Sequence, residues 1–394
     1  MWRNPRRTLV VVTAIAVGIS GCLVAMAVNF GMVAGMIDTA IASGLGHIQI
    51  HASGWDEKPE LKVRLDDGGA SLRSVLDEAP DVRAWAPRLR SEGLVASPRG
   101  SVGVTIIGVD PAREPKISES ADSITEGEWL GERRRVVIGE ALARRLKVGV
   151  GSKVVLTVQD LTAELTGQAF RVSGLMNTRS RDLDDGTVLM RIEEAQALLG
   201  MGTAISEVVI IAIDRGKIAA IHARLEATLG AASEVRTWEQ LVPLLVYMVD
   251  TFDSMGLVLY AAIFIAMSFG IANVLMMAVY ERTREIGMMR AMGMGRGRVV
   301  AMVIVESCFV TALGLAVGIG LALLGVAALS DGIDISRFAD SMDAYGMGTL
   351  LTPVVRAQDF ARPILVGSVT AVLAGLWPAY RASRANPADA LRHY

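Results

Sequence analysis

Nineteen residues, Tyr280 to Arg298 (YERTREIGMMRAMGMGRGR), carry five arginines, Arg282, Arg284, Arg290, Arg296 and Arg298, with two glutamates, Glu281 and Glu285. Fixed cations and carboxylates at this density serve ion pairing with a partner rather than bond-making. Strong helix formers from Glu281 to Met292 predict a helix, loosened afterwards by Gly293, Gly295 and Gly297. On it, Ile286, Met289 and Gly293, with Met288 and Met292 alongside, form an adaptable apolar contact surface. Glu281, Arg282, Glu285 and Arg290 supply a charged rim that fixes orientation. The plainer alternative is a loop that only anchors two membrane spans by its positive charge.

Other residues capable of chemistry form no catalytic set. His47 and His51 stand four apart on an expected strand, about 13 Å from each other, too far to share a zinc ion. They are expected as solvent-facing strand histidines. Asp182, Asp184 and Asp185 precede Gly186 and read as an acidic hairpin tip before they read as a cation site. Gly149-Val150-Gly151-Ser152-Lys153 lacks the spacing of a phosphate loop and is expected as a turn between helix and strand. No HExxH or GxSxG occurs, so nothing argues for an enzyme, and no cofactor or metal is expected on this chain. Cys22 and Cys308 both lie in apolar runs, which excludes a disulfide framework. Ile19-Ser20-Gly21-Cys22 resembles a lipobox, but the residues after Cys22 stay apolar and an uncleaved chain is expected.

The elements that hold these residues are set by hydropathy. Hydrophobic residues make up 52% of the 394 and charged ones 20%; the net charge of -2 carries no message about nucleic acid, and no nucleic-acid partner is expected. After MWRNPRRT the chain runs uncharged from Thr8 to Ile37, 30 residues against the ~20 that cross a bilayer. A second uncharged run is Ser254 to Tyr280, and a third runs from Val299 to Ser330, broken only by Glu306. A fourth, Pro363 to Tyr380, is 18 residues long. The fold class is therefore membrane α-helical, four transmembrane helices, with a large α+β extracytoplasmic domain between helices 1 and 2. Arginine marks the cytosolic side. Residues 1–37 are the cytosolic N-terminus and span one, 38–253 the outer domain, and 254–280 span two. Residues 281–298 are the cytosolic helix, 299–330 span three, 331–362 an outer loop, 363–380 span four and 381–394 the cytosolic C-terminus.

Within 38–253, strands are expected at Gly46–His51, Val102–Val109, Val154–Val158, Phe170–Leu175 and Val208–Ile213. Helices are expected at Ala70–Glu78, Glu140–Leu146, Glu193–Leu199 and Ile218–Leu229. Asn386-Pro387-Ala388-Asp389 resembles a helix start. Glu306, the one ionisable residue inside a span, is expected near the cytosolic end, in helix-helix hydrogen bonding or in coupling. Gly314, Gly318, Gly320 and Gly325 favour close packing of span three.

The order span, large outer domain, three spans resembles the MacB/FtsX/LolC-LolE type of ABC-transporter permease. RNPRRT, VVIGEALARRLKVGVGSKVVL (Val136–Leu156), YERTREIGMMRAMGMGRGRV and PAYRASRANPADALR carry the resemblance. It implies a coupling element seated in a groove of an ATPase, matched here by Glu281, Arg282, Glu285, Ile286, Arg290, Ala291 and Gly293, with Met289 beside them. It also implies a separate ABC ATPase in two copies, which holds ATP and Mg, and a second permease copy or paralogue. Membrane lipid and a periplasmic lipoprotein carrier or adaptor are further partners of that type. The implied location is the bacterial inner membrane, multi-pass, with the large domain in the periplasm. One departure is the short N-terminus. The family has an amphipathic helix before span one, so either that helix is truncated or the start lies upstream. The expected branch is LolC/LolE-like, extracting lipoproteins or similar amphiphiles. Aromatics are only 5%, and glycines in spans one and two (Gly18, Gly21, Gly31, Gly256, Gly270) suit a lateral opening to lipid. The alternatives are MacB-like efflux of drugs or peptides and FtsX-like regulation of cell-wall hydrolases without transport.

Overall fold

The computed structural model describes residues 5–55, 62–334, 350–355 and 357–384. Two compact units emerge: one of helices, and one formed by Gly35–Val246. The Asn386–Asp389 helix start and most of the 331–362 loop fall outside the described residues.

Helix α1 (Pro5–Ala40) leads into a short π-helical turn, Ile41–Leu45. The Gly35–Val246 unit then follows with β1 (Ile48–Ala52), α2 (Ala70–Asp77), β2 (Val82–Ser97), β3 (Gly100–Val109) and β4 (Ile124–Gly127). Next come β5 (Arg135–Gly139), α3 (Glu140–Leu146), β6 (Lys153–Gln159), β7 (Leu165–Met176), α4 (Arg181–Gly186) and β8 (Thr187–Arg191). The unit closes with α5 (Ile192–Leu199), β9 (Glu207–Ala212), α6 (Ile218–Leu229), β10 (Ser233–Thr237) and α7 (Trp238–Leu241).

Strand β2 organises the sheet. Along one edge it pairs antiparallel with β3; along the other it pairs first with β9 and then with β6. From β3 the pairing passes to β8, β5, β7 and β6, and so returns to β2. This ring leaves those six strands no free edge where they pair, and its inward residues make the core. Val95, Val104, Ile106, Val136, Ile138, Val154, Leu156, Phe170, Val172, Val188 and Met190 are buried there. β6 shows the clean alternation of a strand with one wet face. β1 and β9 do not: β1 lies between β10 and β9, and β9 is buried along its whole length. The glycine run after α3 is a turn between helix and strand, as expected, with Gly151 at φ +84°. α5 ends on Gly200 in the left-handed region, the usual glycine stop.

The helical unit holds the membrane-facing apolar helices: α1, α8 (Pro243–Glu281), α10 (Arg296–Ala328) and α11 (Ala357–Ser383), with the short α9 (Thr283–Ala291) between α8 and α10. Among the described residues four helices, 8–45, 243–281, 296–328 and 360–383, are long and apolar enough to cross a membrane. A two-residue pair, β11 (Ile333–Asp334) and β12 (Leu350–Leu351), lies beyond α10. α1, α8 and α11 outrun their uncharged stretches because polar terminal turns stay helical, whereas α10 starts three residues early and stops two residues short of Ser330. α8 begins at Pro243, with proline at the first helical position, eleven residues before the uncharged run starts. Small residues set the packing. A Cβ on Gly314 would strike Ile15, and one on Gly318 would meet Ala16 and Ile19, so α10 lies directly on α1. Gly320 faces open space and takes no part, contrary to expectation. Gly18 faces Ile263 and Met267, and Gly256 faces Met26, so these two glycines seat α8 against α1 rather than opening a gap there. Ser307, fully buried, donates to the Ala371 carbonyl at 2.7 Å and ties α10 to α11.

Candidate functional site

The α8–α9–α10 junction gathers the residues singled out for partner contact. The expected single helix from Glu281 to Met292 is in fact interrupted: α8 ends at Glu281 and Arg282 leaves helical geometry at φ -104°, ψ 13°. Thr283 Oγ1 donates to the carbonyls of Val279 and Tyr280 at 3.0 and 2.9 Å, satisfying the end of α8. α9 then runs to Ala291, and Gly293 at φ +98° reverses the chain towards α10.

Around α9 the residues divide by exposure. Ile286, expected on the contact surface, is only 2% exposed, and it packs with Val299, Val303, Ala379 and Ala382. Its role is to hold α9 against α10 and α11, and half-buried Met289 does the same. Glu281, Arg284, Glu285, Met288, Ala291 and Met292 are exposed, with Met292 at 76%. Within α9 (Thr283–Ala291), Arg284, Glu285, Met288 and Ala291 are spaced by three and four and share one face, with Glu281 just before the helix and Met292 just after it. Arg290 is half-buried and Gly293 exposed.

Arg282 has a structural partner. Its Nη1 donates to both carboxylate oxygens of Glu306 at 3.3 Å, with both side chains largely withdrawn from solvent. The glutamate inside the third apolar helix is therefore neutralised by the residue at which α8 breaks. Arg381, expected only as a marker of the cytosolic side, lies over the rings of Tyr280 and Trp377 at 5.6 and 5.9 Å and adds the end of α11 to the junction. Its signal was present as Trp377 and Arg381 four apart on one helix. This arrangement can dock a partner and pass on its movement. It holds no nucleophile–base pair, and no metal-binding cluster occurs among the described residues.

The other candidates lie elsewhere and differ from expectation. His47 and His51 are buried, at 6% and 0% exposure, because both faces of β1 are covered. His51 Nε2 is hydrogen-bonded to Gln49 Oε1 at 3.0 Å, and its ring stacks on Trp55 at 3.8 Å. Burial holds both imidazoles below their usual pKa. Asp182, Asp184 and Asp185 form no hairpin tip but lie in α4. Asp184 turns inward, accepts hydrogen bonds from Thr178 N and Oγ1, and is raised by burial to about 6.

With this geometry in place, comparison with known proteins is decisive. Residues 8–228 match the MacB-like periplasmic core domain, and residues 257–387 match the FtsX-like permease C-terminal domain. The chain belongs to the MacB/FtsX-like family of ABC-transporter permeases. Among its relatives, the lipoprotein-releasing system transmembrane protein LolC of Neisseria meningitidis is 23% identical over 98% of this chain and 94% of its own length. The macrolide export ATP-binding/permease protein MacB of Nitrobacter winogradskyi is 25% identical over 98% of this chain, which spans 58% of that protein. The solved periplasmic region of MacB from Actinobacillus actinomycetemcomitans, 12% identical, covers 53% of this chain and 96% of itself with a TM-score of 0.38. The expected family and fold class thus hold: a multi-pass membrane permease with an α+β domain inserted between its first two membrane helices.

Proposed function

We propose that this permease works with an ATPase carried by a separate polypeptide, docked on α9, and extracts lipoproteins or similar amphiphiles from the bacterial inner membrane. The observation that carries the docking role is the exposed face of Arg284, Glu285 and Met288 on the short α9, flanked by exposed Glu281 and Met292 and held between two apolar helices. Such a face gives a partner both ionic orientation and adaptable apolar contact. Ile286 and the Arg282–Glu306 pair couple movement of α9 to α10. The cargo reading is supported by the LolC relative, which this chain matches from end to end, whereas it matches 58% of an ATP-binding/permease protein. Two permease copies, or one and a paralogue, pair with two ATPase subunits, and the ATPase holds ATP and Mg.

The test is reconstitution with the cognate ATPase in proteoliposomes carrying an acylated lipoprotein. ATP-dependent transfer to a soluble carrier is expected. The efflux reading draws on the MacB-like core domain. Absence of transfer, together with ATPase stimulation by a small molecule or peptide, would decide for efflux.

A further inference from the structure

A cleft of about 480 Å³ opens in the Gly35–Val246 unit beside the turn that follows α1. Asp38, Ile41 and Ala42 form one wall, His47 its floor, and Arg83, Lys116 and Ile213 part of its rim. His47 carries the informative atom. Its Nδ1 accepts the Ala212 backbone N–H at 3.1 Å, so the ring proton of the neutral imidazole sits on Nε2. That Nε2 is buried and has no hydrogen-bond partner. Burial first, and Arg83 second, hold the imidazole below its usual pKa, which keeps the ring neutral with its one N–H on Nε2. A buried N–H with no acceptor is costly unless something in the cleft accepts it.

The charges around it specify that acceptor. Arg215 is paired with Asp38 and Arg179 with Glu119, which cancels four of the lining charges. Arg83 and Lys116 are exposed and have no carboxylate partner among the described residues; opposite them stands one unpaired carboxylate, Asp122. Two cations and a neutral N–H donor against one acid favour an oxyanion. The cleft's place in the chain narrows the choice further. Asp38 is the first charged residue after the uncharged run from Thr8 to Ile37, so it stands where α1 leaves hydrocarbon and meets the headgroups. Ile213, 64% exposed, puts bare apolar surface on the same rim. A phosphate that brings its own apolar part satisfies both surfaces.

We infer that this cleft binds the phosphate of an anionic phospholipid headgroup through His47, Arg83 and Lys116. The inference depends on the membrane setting of the family and not on the identity of the cargo. The full chain is placed in nanodiscs of equal phosphatidylglycerol and phosphatidylcholine, and retained lipids are counted by native mass spectrometry. Wild type is expected to keep phosphatidylglycerol over phosphatidylcholine, and Arg83→Glu with Lys116→Glu to lower that preference about tenfold, the weight of one charge-assisted contact. Both side chains are exposed, so the fold of this variant is expected to match wild type by tryptophan melting. His47→Phe, which removes the donor and leaves the cations, is expected to lower the amount of phosphatidylglycerol retained. An unchanged preference in the double variant would overturn the site. Millimolar inorganic phosphate is expected to leave the lipid in place; full displacement by it would overturn the lipid source in favour of free phosphate.

Discussion

Replacing Arg88 or Glu114 singly should cost the outer domain more than any other change of like size. The two side chains are 6% and 2% exposed. Arg88 donates through Nε to Glu114 at 3.1 Å, through Nη2 to the other carboxylate oxygen, and through Nη1 to the carbonyl of Gly44 in the turn after α1. Ser118 Oγ donates to the same carboxylate at 2.7 Å. Arg88→Met leaves a buried carboxylate with one hydroxyl for company, and Glu114→Leu leaves a buried guanidinium. Losing one member of such a pair costs about 3–5 kcal/mol, whereas exchanging both for apolar residues is often near neutral. At roughly 2–4 °C per kcal/mol for a domain of this size, each single variant should melt about 6–20 °C lower. Arg88→Met with Glu114→Leu should recover at least half of that loss. Four of the six tryptophans, Trp55, Trp85, Trp129 and Trp238, lie in this unit, so intrinsic fluorescence of the purified full chain reports its melting. Single variants melting within about 2 °C of wild type, or a double variant losing the sum of the two, would refute the reasoning.

Asp184 is lifted from 3.8 to about 6, so between those values the folded protein keeps a proton that the unfolded chain has released, and stability falls as pH rises through that window. Asp184→Asn should flatten that slope in tryptophan melts and raise stability above pH 6. Glu306→Gln weakens the tie to Arg282 and should lower cargo-stimulated ATPase activity of the assembled transporter while the melting temperature stays close to wild type; unchanged activity would leave the pair a packing feature. Glu285→Arg and Met292→Glu should abolish co-purification of the ATPase without altering membrane insertion, and full retention would make α9 only an anchor. With Cys22 and Cys308 replaced by alanine, single cysteines at the exposed Arg99 and Arg384 should label from opposite sides of the membrane. Labelling from one side would overturn the topology.

The fold class was legible because membrane helices declare themselves by uncharged length, and the outer domain by its alternation of strand and helix patterns. Glu140–Leu146 and Ile218–Leu229 stand as expected because strong helix formers fill them and the chain turns left-handed just past each end, at Lys147 and Gly230. β2 was not legible. It holds four charged residues, Pro87 and Gly93, and its partner on one edge changes from β9 to β6 midway, so no single face stays buried. His47 and His51 misled for a related reason: alternation suggests one wet face, and only tertiary packing, such as Trp55 stacked on the His51 ring, covers it. At the junction, the helical content of Glu281–Met292 was readable, but the break at Arg282 was not, since no Gly or Pro marks it. Without that break Glu306, 24 residues away, had no visible partner. Ile286 looked like contact surface because one helix alone does not show which of its faces its neighbours occupy.

What these contacts share is their grip on α1. Its 36 residues run from Pro5 to Ala40. Within the helical unit, α10 brings Gly314 and Gly318 directly against Ile15, Ala16 and Ile19, so no long side chain lies between the two helices to absorb a shift. α10 is also the helix to which Arg282 is tied through Glu306 and on which Ile286 packs through Val299 and Val303. Beyond the other end of α1, the turn Ile41–Leu45 is held in the Gly35–Val246 unit by Arg88 on the Gly44 carbonyl and by the Glu119 N–H on the Ala42 carbonyl at 3.0 Å. Gly44 sits at φ +103°, and a Cβ there would strike the Arg88 guanidinium, so that turn fits in one way. On the proposed reading, a displacement applied at α9 passes through α10 to α1 and on to the turn that follows it. Gly44→Ala separates this transmission from binding. It should leave ATPase docking on α9 intact and lower cargo release per ATP hydrolysed, measured in the same proteoliposomes. Loss of both together would mean that the turn supports assembly rather than transmission.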